Sequence, residues 1–135
     1  MDNETTKIYD GYIAFILDDE SVDNLKEVIP PMHEKIYYHH MTVAYKPSIQ
    51  DFDLYKKYIG TSMCIDVTGT ANDSNGQVVL LDTNISEKKS PHITLSCTQY
   101  TKPNYSNFLA ENKINFEPIK LSLCGKFEYI AHKPF

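Results

Sequence analysis

The sequence contains no arginine: all 13 of its basic residues are lysines. Without a guanidinium fork it has no bidentate grip on phosphate, and a net charge of −5 suits it poorly to neutralising a long phosphate backbone. DNA is therefore excluded as an expected partner, and a nucleotide ligand is expected to be small or to be one end of an RNA. Long apolar runs are also missing. The longest, Tyr12 to Leu17, stops at Asp18-Asp19-Glu20, well short of the ~20 residues that span a bilayer. The first residues, Met1-Asp2-Asn3-Glu4, are acidic, which is wrong for a secretory signal. Cysteine is sparse. Cys64, Cys97 and Cys124 lack the close spacing of a zinc site or a disulfide framework, and are expected as reduced thiols in strands. No repeat, low-complexity tract or linker divides the chain. These absences leave one soluble domain, 1–135, expected in the cytoplasm with no membrane partner.

What is present is a core. Hydrophobic residues make up 41% of the chain, with 10 tyrosines and 6 phenylalanines. Lys7 to Leu17 reads as a first strand. Asp19 or Ser21 can cap a helix with Val22, Leu25, Val28 and Ile29 on one stripe, stopped by Pro30-Pro31. A second strand is expected over Lys35 to Tyr45. Ser48 and Asp51 then open a helix carrying Phe52, Tyr55 and Ile59. Strands at Met63 to Thr70 and Gln77 to Thr83 flank the turn-rich Asn72-Asp73-Ser74-Asn75-Gly76, which predicts a hairpin. A strand over His92 to Thr98, a helix over Asn104 to Asn112, and strands at Ile119 to Leu123 and Lys126 to Ala131, broken at Gly125, complete an α+β domain.

Two segments resemble each other: His40-Met41-Thr42-Val43-Ala44 and His92-Ile93-Thr94-Leu95-Ser96. Side chains alternate across a strand, so His40 shares a face with Thr42, and His92 shares one with Thr94 and Ser96. The intervening residues are apolar and can anchor each strand in the core. An imidazole can give or take a proton near neutral pH, and a hydroxyl can donate to a developing oxyanion. Two such pairs around one phosphorus suit in-line displacement with one histidine as base and the other as acid.

On these motifs the sequence resembles the 2H phosphoesterase superfamily, which is named for two His-x-Thr/Ser motifs. It includes LigT-like RNA 2′,3′-cyclic phosphodiesterases and viral enzymes that destroy nucleotide second messengers of antiviral defence, such as cGAMP. Gly11-Tyr12-Ile13-Ala14-Phe15-Ile16 also looks like the family's first strand. The resemblance implies a bilobal fold, with two pseudo-symmetric antiparallel sheets flanked by helices around a central cleft. It implies a metal-independent phosphodiesterase without cofactor, with His40, Thr42, His92 and Thr94 as catalytic residues. The expected substrate is a small cyclic nucleotide or cyclic oligonucleotide; the alternatives are a 2′,3′-cyclic phosphate at an RNA end, or a nucleotide-binding module without catalysis.

Tyr12 and Tyr45 are candidates for stacking on a base, Lys46 for steering a phosphate and Ser96 for touching substrate. Alternation turns His39 away from the cleft, leaving it a packing or surface role. His33 is expected in a loop and His132 in the C-terminal tail. No ligand spacing among the histidines supports a metal.

Overall fold

The computed structural model describes residues 10–131. Residues 7–9 of the expected first strand, and His132, lie outside the described residues.

Among the described residues seven strands and three α-helices follow one another as β1 (Gly11–Leu17), α1 (Asp19–Val28), β2 (Lys35–Ile36), β3 (His40–Tyr45), α2 (Ile49–Tyr55), β4 (Ser62–Asn72), β5 (Gly76–Leu81), β6 (His92–Cys97), α3 (Ser106–Asn112) and β7 (Glu117–Ala131). All strand pairings are antiparallel, in the order β2-β6-β3-β1-β7-β4-β5, and β5 returns to pair with β6. That last pairing closes six strands into a barrel and leaves β2 outside. The bilobal expectation of two sheets flanked by helices is therefore wrong. There is one closed sheet, and the helices are few and short.

The reason lies in the long strands. β7, 15 residues long, pairs with β4 through its first part and with β1 through its second, so it ties together what would otherwise be two sheets. Gly125 does not break it. A side chain there would clash with the Ile16 carbonyl, so glycine is what lets β7 run close past β1. Register shifts at Val67/Gly69 in β4, Ile13/Ala14 in β1 and Gln77/Val78 in β5 add the twist that closure demands.

Alternation fills the interior. Ile13, Phe15, Met41, Val43, Ile93, Leu95, Leu123 and Phe127 are all fully buried in one cluster, joined by Leu25 of α1 and by Ile29 just after it. Each such side chain contributes about 1.5–3 kcal/mol on burial. Val28, expected on the same stripe of α1, is instead exposed. α1 is capped by Asp18, which accepts from Ser21 N, rather than by Asp19 or Ser21. A smaller cluster, with Val78 and Leu80 beneath Leu109 and Ala110, seats α3 on the sheet's other face.

The expected strand over Lys35 to Tyr45 is two strands. Ile36 faces Ser96 and Met41 faces Ile93, so positions five apart in this stretch face positions three apart on β6. The two surplus residues bulge, with Tyr38 at φ 54°. The Tyr38 ring is buried, and its hydroxyl donates to the Ile29 carbonyl at 2.6 Å. Sequence alternation could not register this insertion, because each residue in the stretch is individually compatible with a strand.

The cysteines differ from expectation too. Cys64 on β4 lies opposite Cys124 on β7, and the two form a disulfide. Cys97 is a buried free thiol. A separation of 60 residues hid a pairing that the β4–β7 register makes direct.

Candidate active site

β3 and β6 are neighbours in the barrel wall, joined where Met41 faces Ile93. Both of these side chains point into the core. Carrying the register one residue either way sets His40 across from Thr94, and Thr42 across from His92. The four polar groups thus form a checkerboard on the opposite face of the sheet, with each histidine beside the other motif's threonine. The two histidines stand on its diagonal, where positions are roughly 7–8 Å apart. A local two-fold passes between Met41 and Ile93, so two similar motifs converge without two lobes.

All four groups line one cleft of about 740 Å³. Tyr12 and Tyr45, which face each other across β1 and β3, form one end with Lys88. Ile36, Tyr37, Asn104 and Asn107 border the other. Lys88 is held there by the loop after β5, which takes over the edge of β3 where β6 has not yet begun. Ser86 Oγ donates to the Thr42 carbonyl at 2.9 Å, and Glu87 N donates to the Val43 carbonyl at 2.7 Å. Ser86 Oγ also accepts from Lys88 N at 3.0 Å.

Each histidine is held by its Nδ1. His92 Nδ1 lies 2.8 Å from the Ser90 carbonyl. A carbonyl only accepts, so Nδ1 carries the proton and Nε2 has the lone pair. His40 Nδ1 lies 2.9 Å from His39 Nδ1, and the Tyr12 ring packs 5.4 Å from the His40 ring. Burial, and secondarily the His39 charge, lower the His40 pKa from its ordinary 6.5 to about 4. The His92 pKa is also lowered, chiefly by burial and in part by Lys88, while the Ser90 carbonyl and Glu111 favour its charged form. Thr94 Oγ1 donates to the buried Ser106 Oγ at 2.8 Å, which fixes its rotamer from α3.

Of the residues singled out in the sequence, His40, Thr42, His92, Thr94, Tyr12 and Tyr45 come together at the cleft. Ser96 does not. It is fully buried, donates to Gln77 Oε1 at 2.7 Å and accepts from the backbone N of Met32 and of His33. The shift at Gln77/Val78 and the β2 pairing have taken it into the structure. Lys46 is not among the lining residues; its Nζ sits 5.7 Å over the Tyr45 ring. His39, expected to face away, lines the cleft because the bulge at Tyr38 resets the alternation. His33 is in a loop, as its position beside Pro30-Pro31 suggested, with Nε2 3.0 Å from the Asp73 carbonyl.

Sequence reasoning passed over Lys88, Tyr37, Asn104, Asn107 and Ser106. They sit on loops, on the β2 edge and around α3, where no periodicity marks them. Among the described residues no group of three or more His, Cys, Asp or Glu gathers as metal ligands. No described helix is long and apolar enough to cross a membrane. Compared with protein-family models and with curated proteins, the chain matches none.

Proposed function

We propose that the protein is a phosphodiesterase of the 2H type that cleaves a small nucleotide diester by acid–base catalysis from His40 and His92. The observation that carries this reading is the checkerboard on β3 and β6, with two imidazoles on its diagonal and two hydroxyls beside them.

In the proposed reaction His40 takes the proton of the attacking hydroxyl, whether water or a ribose 2′-OH. The new O–P bond forms as the opposite P–O bond breaks, and His92 Nε2–H protonates the departing oxygen. His40 fits the base because burial keeps it neutral. Burial lowers the His92 pKa too, but the Ser90 carbonyl and Glu111 oppose that lowering, and a phosphate anion in the cleft adds to them, so His92 is the better placed of the two to carry the acid's proton. Thr42 and Thr94 donate to the non-bridging oxygens. For Thr94 this means redirecting its proton from Ser106, whose own hydroxyl then donates to Thr94. Lys88 supplies positive charge for the diester, and Tyr12 and Tyr45 offer faces for a base.

The cleft volume of about 740 Å³ favours a nucleotide signal, including a cyclic oligonucleotide, over an RNA end. With one lining lysine among the described residues and no arginine in the chain, the cleft has little to hold a long backbone. The proposed compartment is the cytoplasm, where such signals act. The Cys64–Cys124 disulfide is the observation against it, and counting thiols in protein made in a reducing cytosol decides the matter. The activity is tested by incubation with cyclic dinucleotides, 2′,3′-cyclic nucleotides and short RNAs bearing a 2′,3′-cyclic end, each with chelator. Turnover of the first panel supports the reading. Turnover of the RNA ends alone moves the substrate to RNA processing, and binding without turnover of any panel sinks the enzyme.

A further inference from the structure

His39 and His40 are consecutive, yet their rings meet edge to face, centroids 5.1 Å apart at 83°. Their Nδ1 atoms are 2.9 Å apart, so one carries a proton and the other accepts it. In a regular strand consecutive side chains leave opposite faces and cannot do this. The contact exists because of the two surplus residues before β3 and the left-handed Tyr38. A left-handed backbone at a non-glycine residue costs on the order of 1–3 kcal/mol. Burial of the Tyr38 ring and its bond to Ile29 offset that cost.

Around His40, Tyr12 faces it from β1, His92 from β6, Lys88 from the loop after β5, and Tyr37 and Tyr45 from the cleft walls. Among the described residues no carboxylate lines the cleft. The usual partner that orients a catalytic imidazole is therefore absent from these positions, and His39 Nδ1 occupies the place such a partner takes.

We propose that His39 is a positioning residue for His40, accepting the His40 Nδ1 proton so that Nε2 is the nitrogen presented to the reacting phosphate. This rests on the acid–base reading of the cleft. When His40 Nε2 takes the nucleophile's proton, Nδ1–H stays donated to His39, and no further proton moves. A carboxylate in that place would stabilise the resulting cation by its charge. A neutral imidazole orients without doing so, which keeps His40 in its proton-accepting form.

The test compares wild type, His39→Ala and His39→Asn in two measurements. Nitrogen NMR of the imidazoles reads the His40 tautomer and titration midpoint, and steady-state kinetics read kcat and KM against pH. In the Ala variant His40 mixes tautomers and its midpoint rises, because water reaches the ring where the His39 side chain stood. kcat falls roughly 10- to 100-fold with KM little changed. The Asn variant keeps an acceptor in that place, so it restores the tautomer and most of kcat. An unchanged tautomer and midpoint in the Ala variant overturns the proposal. So does equal loss of kcat in both variants with the His40 titration unmoved, which marks a merely structural role. Absence of turnover by wild type on every substrate sinks the acid–base reading instead, and the NMR measurement still decides the pairing of His39 with His40.

Discussion

The two His-x-Thr strands share a pattern and differ in what holds them. The His92 strand is braced from both sides: β5 pairs along it, the Ser90 carbonyl fixes its imidazole and Ser106 fixes its threonine. The His40 strand is fully paired on one side only, along β1. On the other it meets β6 at Met41 and then a loop, and its imidazole is held by another imidazole rather than by backbone. One imidazole is anchored by main chain and the other by a side chain. A reaction needing one proton donor and one acceptor is served by that asymmetry, since identical surroundings would give both histidines the same proton affinity.

The comparison breaks most visibly at the histidines. His40→Ala and His92→Ala should each lower single-turnover rates by roughly 10²–10⁴-fold. Substrate affinity should hold within a few-fold by calorimetry. A variant with wild-type turnover removes its histidine from the mechanism. Next come the hydroxyls. Thr42→Val and Thr94→Val should each cost roughly 10²–10³-fold in kcat. Ser106→Ala should weaken only the Thr94 side, so combining it with Thr94→Val should add little, whereas combining it with Thr42→Val should multiply. Additive behaviour in both pairs would show that Ser106 does not act through Thr94.

The histidines' burial also predicts how stability follows pH. Folding lowers the pKa of both, His40 to about 4. Between the unfolded value of 6.5 and about 4, the unfolded chain binds protons that the folded one refuses. Stability is therefore complete above pH 6.5 and declines as pH falls through that window. Urea midpoints measured from pH 7 to pH 4 should drop, and His40→Asn should flatten the drop; equal slopes would contradict the burial of His40. The smallest effect is expected at Lys88. Lys88→Ala should raise KM a few-fold and weaken its salt dependence while kcat changes little.

Much of this was legible beforehand, and the exceptions share one cause. Alternation in β3 and β6 placed Met41, Val43, Ile93 and Leu95 inside and put His40 on one face with Thr42 and His92 on one face with Thr94, because a period of two holds wherever a ladder is regular. It failed where the ladder is irregular. The bulge at Tyr38 brought His39 into the cleft, and the β2 pairing buried Ser96. Barrel closure was hidden for a related reason. It depends on β5 meeting β6 and on Gly125 letting β7 run on past β1, and neither is a property of any one segment. The resemblance to a bilobal family supplied the motif pairing but not this chain's sheet.

The strands that carry the proposed chemistry also wall the barrel, and this limits how the protein can change. A single inserted residue in β3 would send His40 or Thr42 inward and Met41 outward, losing reaction and hydrophobic interior together. Tyr37, Lys88, Asn104 and Asn107 are under no such restraint, since none lies within a barrel strand. New ligand preferences can therefore arise at the rim by ordinary substitution, while the histidine and threonine floor stays locked to the stability of the whole.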